Sequence, residues 1–222
     1  MKRIAIIAVV VVFLASPTRA AEIFILPFTD PPGPSTWYVV QFYGNTQGAY
    51  RNRVNWYQAG QGLHFGVVFA ARCGTPVVAV GEGEIVGIDD LKRGAGPHNL
   101  LIEHPNGYVS LYGHLLEAPQ LYIGQTVEQG QVVGLSGDPD GSCTSRPHLH
   151  LEIRSVGYGY AYNPLDFIEA DWDSLALFGP SSGFQRDLNA PHRWQTLADQ
   201  PSVDFWGPML NEYDRPWPPS GW

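Results

Sequence analysis

Between Trp37 and Ile168 the chain is a succession of short β-type runs broken by glycine turns, and no stretch sustains a 3.6-residue period. Trp37-Tyr38-Val39-Val40-Gln41-Phe42 is one run. Val77 to Val80 and Glu84 to Ile88 flank the turn Gly81-Glu82-Gly83. Asn99 to Glu103, Tyr108 to Tyr112, Gln131 to Leu135 and His148 to Arg154 complete the set. Runs of four to eight apolar or alternating residues between Gly, Pro and Asn are strand signals, whereas a helix needs apolar residues at i, i+3, i+4 and i+7. The pattern predicts an all-β protein of antiparallel sheets with Gly-rich turns. Composition agrees: the 222 residues include 25 Gly and 19 Pro, and only 15% are charged, a turn-rich β balance rather than a bundle's.

The ends of the chain read differently from its middle. Met1-Lys2-Arg3 precedes an apolar run from Ile4 to Ala15, and Thr18-Arg19-Ala20-Ala21 follows. That is the layout of a secretory signal peptide over residues 1–20, and the run is short for a membrane span. The mature chain, with no second hydrophobic span, is expected outside the cytoplasm. Residues 21–36 form a Pro-rich lead-in, residues 37–168 the β domain, and residues 169–222 an acidic segment rich in Trp and Pro. That last segment reads first as an irregular wrap around the domain, since large aromatics more often pack than bind. The second reading is an aromatic surface for a polymer or partner. Net charge is −8, which argues against nucleic acid and anionic membranes as partners. Cys73 and Cys143 read as one disulfide or as two separately buried thiols, and an exported location favours the disulfide. Gly74-Thr75-Pro76-Val77 and Gly124-Gln125-Thr126-Val127 resemble each other as a weak internal duplication.

Chemistry concentrates in Pro147-His148-Leu149-His150-Leu151-Glu152. On a strand, His148, His150 and Glu152 share one face while Leu149 turns away. Imidazole is the commonest protein metal ligand, and its unperturbed pKa suits proton transfer near neutrality. Two other pieces precede this one: Gly62-Leu63-His64-Phe65-Gly66-Val67-Val68 before Cys73-Gly74-Thr75-Pro76-Val77, and Tyr108-Val109-Ser110-Leu111-Tyr112-Gly113-His114-Leu115. His104 reads as a hairpin-turn residue, and His98 and His192 as solvated.

Together the three pieces resemble the lysostaphin/LytM-type zinc metallopeptidases, which cut peptide cross-links in bacterial cell walls. The resemblance covers roughly Trp37 to Ile168, including Asn163-Pro164 at the usual domain end. Three pieces in order, with their Gly and Pro context, are far more specific than an H-x-H alone. The resemblance implies the lysostaphin-type (duplicated hybrid motif) fold, with His64 and His150 as zinc ligands. It also implies that His114 and His148 orient or deprotonate the attacking water and stabilise the oxyanion. Arg146 stands where the family often has glycine; it reads equally as a contact for a substrate carboxylate and as a solvated loop arginine.

Val68 departs from the pattern, because the family places a ligand aspartate there. Valine offers no donor, and a catalytic zinc normally takes three protein ligands plus water. Four residues of straight strand span about 13 Å, so His64 and position 68 converge only through a bend, which Gly66 can supply. Asp89 and Asp90 follow a different strand. Glu152 shares the histidine face, and His114 or His148 could swing onto a metal at the expense of proton transfer. The expectation is an exported peptidase-fold protein directed at peptidoglycan peptides or a cell-envelope protein, with zinc occupancy doubtful and catalysis impaired or lost. The alternative is an active zinc metalloendopeptidase with a rebuilt site. A biotinyl-type carrier domain also has paired G-x-x-V turns, but Gly81-Glu82-Gly83 lacks the lysine it would need.

Overall fold

The computed structural model of the protein describes residues 24–176, 183–185, 190 and 192–211. The signal-type run 1–20, Trp217 and Trp222 lie outside the described residues. Eleven strands among the described residues carry the fold: β1 Trp37–Gln41, β2 Val67–Ala71, β3 Pro76–Val78, β4 Gly83–Ile88, β5 His98–Glu103, β6 Tyr108–Leu115, β7 Thr126–Val127, β8 Val132–Leu135, β9 His148–Ser155, β10 Tyr160–Tyr162 and β11 Val203–Asp204. The one α-helix among the described residues, α1, is a single turn at Gln47–Arg51, N-capped by Thr46. The all-β reading holds.

The main sheet runs β1-β2-β9-β6-β5-β4-β7, with β10 joined to β9 and β11 to β10; β3 and β8 form a separate two-stranded sheet. Every pairing between these strands is antiparallel. The period of two divides the main sheet into an apolar and a functional face. Trp37 and Val39 of β1, Val67 and Phe69 of β2, Leu149, Leu151 and Ile153 of β9, and Tyr112 of β6 belong to one buried core. Their alternates Tyr38, Val40, Val68, Ala70, His148, His150 and Glu152 line a cleft on the opposite face.

The two similar segments occupy equivalent positions. Gly74 donates its N–H to Ser136, and Ser136 donates back to Thr75; Gly124 donates to Ile85, and Ile85 donates back to Gln125. Each segment thus pairs with the strand that follows the other: β3 with β8, and β7 with β4. Both glycines sit at positive φ, 83° and 87°, where a side chain would be strained. The strands flanking Gly81-Glu82-Gly83 consequently do not pair with each other.

Cys73 and Cys143 are disulfide-bonded across 70 residues of sequence, so the thiol alternative falls. The bond ties the turn after β2 to the loop that leads into β9. Described parts of the C-terminal segment lie along the chain just before His64. Val39 donates to Leu175 O, Gln200 Oε1 accepts from Asn45 N at 2.6 Å, and Val203 N donates to the Tyr43 hydroxyl. Trp206 N donates to Ala59 O, and Asn211 Nδ2 to Gly62 O at 2.6 Å. Trp172 and Phe184 are buried, whereas Trp206 is 80% exposed; main-chain and amide hydrogen bonds hold this segment as much as aromatics do.

Closing a loop of this length removes about 4 kcal/mol of unfolded-state chain entropy. The double variant Cys73→Ser/Cys143→Ser is expected to lose on the order of that amount in urea unfolding at neutral pH. A loss under about 1 kcal/mol would mean the crosslink adds little to a loop already fixed by its hydrogen bonds.

Candidate active site

The site is built on β9. His148, His150, Glu152 and Arg154 point to its cleft side, and both neighbouring strands offer small or apolar residues there. Val68 lies opposite His150 and Ala70 opposite His148 on β2, while Gly113 lies opposite His150 on β6. Gly66 permits close approach: a Cβ there would sit 2.6 Å from Leu151 O and 2.7 Å from the His150 ring. Strand β2 begins just after it, at Val67, so His64 is carried by the preceding loop. His64 pairs with Gly44 in an isolated bridge and is 1% exposed.

Strict alternation on β6 would send His114 to the core side with Tyr112. A bulge prevents this. On β5, His98 and Asn99 face Leu115 and Gly113, leaving His114 as the extra residue, with φ +59°. The left-handed conformation is unfavourable for a non-glycine residue. Here it turns the imidazole into the cleft, where its centroid lies 4.7 Å from that of His148 and 5.9 Å from that of His150. His64 lies 5.2 Å from His150 on the same centroid measure. The structure therefore brings His64, His114, His148 and His150 into one cluster.

Hydrogen bonds fix the ring orientations. Nδ1–H donates to Phe42 O in His64 at 2.7 Å, to Arg146 O in His148 at 2.7 Å, and to Gly96 O in His114. In these three rings Nε2 is left as the lone-pair nitrogen, without a protein partner among the described residues. His150 is reversed: its Nε2–H donates to Glu152 Oε1 at 3.0 Å. A histidine whose second nitrogen is tied to a carbonyl or carboxylate is held as metal ligands are held. Burial, with the neighbouring His150, lowers the pKa of His64 and of His114 to about 3. Burial also lowers that of His148.

Glu152, fully buried, is the only carboxylate lining the cleft among the described residues. Burial pushes its pKa up, but the Arg154 charge and the His150 hydrogen bond outweigh this and hold it below the usual range. Arg154 Nε meets Glu152 Oε2 at 2.6 Å, and Arg154 Nη2 donates to Arg93 O. The Arg154 guanidinium lies 4.6 Å from the Phe205 ring centre, and Phe205 packs on Phe65, which meets His150 edge-on.

These contacts decide how far the residues fit a zinc ion. His64 and His150 supply two imidazoles with second-nitrogen anchors. A third, anionic donor is not available: Val68 stands opposite His150, and Glu152 is committed to Arg154 and His150. Among the described residues no group of three or more His, Cys, Asp or Glu is placed to hold a metal ion. The family-matched pair His64 and His150 by itself supplies two of the three protein ligands that a catalytic zinc normally takes.

The other histidines are elsewhere. His104, at the β5–β6 turn, is buried and bonds Glu82 O and Ser110 Oγ. His98, read as solvated, bonds Asp89 at 2.8 Å and is about one-third exposed. Sequence reasoning missed Arg154, Gly113 and Phe205. Arg154 was in reach, since period-two counting from His150 and Glu152 puts it on the same face. Phe205 had no local signal.

Histidines held neutral by burial set a sign for pH dependence. The unfolded chain takes up protons below about 6.5, whereas buried His64 does not until about 3, so stability falls as pH drops through that window. Each excluded proton is worth about 1.4 kcal/mol per pH unit. Urea unfolding of chelator-treated protein is expected to show a falling midpoint from pH 6.5 to 4.5, above most carboxylate titration. His64→Gln should reduce that slope; an unchanged slope would contradict the buried neutral assignment.

Comparison with known proteins agrees with the motifs. Residues 62–164 match the model of peptidase family M23. Lysostaphin of Staphylococcus simulans is 33% identical over 111 residues, which are 49% of this chain and 22% of lysostaphin. The glycyl-glycine endopeptidase ALE-1 of Staphylococcus capitis is 32% identical over 148 residues, 65% of this chain and 39% of ALE-1. This chain thus spans well under half the length of these curated relatives. Among solved structures, a catalytic-domain mutant of the prophage-encoded M23 protein EnpA of Enterococcus faecalis is 27% identical. It covers 64% of this chain and 95% of its own, with a TM-score of 0.49. The four clustered histidines all lie inside the matched region, and the chain carries a lysostaphin/LytM-type domain of peptidase family M23 at residues 62–164.

Proposed function

We propose that this is an exported protein of the lysostaphin/LytM type that engages peptidoglycan peptides, or a cell-envelope partner, through the histidine-lined cleft, with metalloendopeptidase activity impaired or lost. The observation that carries the reading is the pair of contacts at His150. Val68 faces it from β2 without a donor atom, and Glu152 beside it is neutralised by Arg154. In the family role His64 and His150 hold zinc, and His114 and His148 handle the proton and the oxyanion. The rings persist here, while the anionic ligand does not. Loss of one ligand lowers affinity and leaves a bound metal poorly oriented. Export rests on the signal-type run at residues 1–20; no helix among the described residues is long and apolar enough to cross a membrane.

A second reading has its own support. His64, His114 and His148 each keep an Nε2 without a protein partner, so a three-imidazole site would need only ring movement. It would hold zinc but use up the groups that move protons.

Metal analysis of the purified mature protein, beside hydrolysis of isolated walls by wild type and Val68→Asp, separates the two. The expected result is substoichiometric zinc and no released fragments from wild type. Val68→Asp should gain both, with affinity for zinc rising on the order of 100-fold. Stoichiometric zinc with lysis in wild type, abolished in His150→Ala, would overturn the non-catalytic reading.

A further inference from the structure

The cleft holds one uncompensated charge. Its volume is about 740 Å³, and apart from its histidines its ionisable lining consists of Tyr38, Tyr57, Glu152 and Arg146. Glu152 is buried and paired with Arg154, so it presents no free charge to a ligand. Arg146, always cationic, is exposed at the cleft wall, and among the described residues no carboxylate lies within ion-pair distance of its guanidinium. In a chain of net charge −8, Arg146 is the one arginine or lysine of the described cleft lining.

The arginine is also held in place. Its N–H donates to Asp138 Oδ2 at 3.2 Å, and its C=O accepts from His148 Nδ1 at 2.7 Å. Asp138 further accepts from Ser145 N and Ser145 Oγ, and the Cys73–Cys143 bond anchors the loop three residues upstream. The guanidinium lies 5.8 Å from the ring centre of Trp56, a range at which a cation is drawn to an aromatic face. Trp56 and Val40 are themselves 62% and 53% exposed on the cleft wall. A fixed main chain, an unpaired planar donor and adjacent bare apolar surface are the parts of a carboxylate-reading subsite.

We infer that the cleft selects peptides bearing a free carboxylate, read by Arg146 beside Trp56 and only one residue removed from His148. This rests on the reading of the cleft as a peptide-binding site. The guanidinium accepts the carboxylate as a bidentate partner, while Trp56 and Val40 cover the apolar part of the same residue. Amidation of that carboxylate removes both the charge and one acceptor.

The test uses the mature protein and a synthetic wall stem peptide in four forms: all carboxylates free, only the C-terminal one amidated, only the side-chain ones amidated, and all amidated. Calorimetric titration is expected to show the free form binding about tenfold tighter than the fully amidated form. The preference should narrow in high salt, and the singly amidated peptides identify which carboxylate is read. Arg146→Gln should abolish the preference and Arg146→Lys keep part of it, with near-unchanged unfolding midpoints since the side chain is exposed. Equal binding of free and amidated peptides by wild type would overturn the carboxylate assignment and leave the cleft reading standing. A preference that survives in Arg146→Gln would overturn the role of Arg146. Binding of no form would overturn the peptide-cleft reading and the inference together.

Discussion

The buried ion pair between Glu152 and Arg154 governs what the cleft can do. Removing one partner of such a pair typically costs about 3–5 kcal/mol, because the other charge is left buried and alone. Both residues lie on β9 on the histidine side, and Glu152 also accepts from His150. The pair therefore orients His150 while withdrawing the only carboxylate of the cleft lining from other work. With valine opposite His150, that withdrawal leaves four imidazoles and no unpaired carboxylate in the described cleft lining.

The remaining geometry follows from making room on one sheet face. Gly66, just before β2, and Gly113 on β6 both lie against His150, and side chains there would collide with Leu151 O and with Ala95. The β6 bulge swings His114 out of the core direction, at the cost of a left-handed residue. The described part of the segment after the M23 match lies behind the cleft lining rather than in it. Its hydrogen bonds to Asn45, Ala59 and Gly62 brace the loop that ends in His64, and Phe205 supports Phe65 and Arg154. Site and C-terminal segment are thus mechanically linked although only one belongs to the matched family region.

Much of this was legible in the sequence. Seven of the strands were readable as β-type runs, and motif order identified all four clustered histidines. Period-two counting put His148, His150 and Glu152 on one face. The β2 strand was harder, because Val67-Val68-Phe69-Ala70-Ala71 reads as part of the His64 motif and has no alternation. What local pattern cannot supply is register. That Val68 faces His150, and that His114 is the unpaired residue of β6, depend on which residues of three separated strands meet. The disulfide, one of two readings in sequence, required the β2 turn and the β9 entry loop to be neighbours. Contacts such as Gln200 with Asn45 and Asn211 with Gly62 join residues about 150 positions apart, and no periodicity announces them.

The central claim of the proposed reading is that Glu152 is held by Arg154, that position 68 provides no substitute and that His114 and His148 stay off the metal, so a metal would find at most two protein ligands. X-ray absorption at the zinc edge, on mature protein with equimolar zinc, counts those ligands directly. The account predicts no more than two imidazole nitrogens at about 2.0–2.1 Å, with water completing the shell. Three protein ligands, whether a third imidazole or the Glu152 carboxylate, would contradict it.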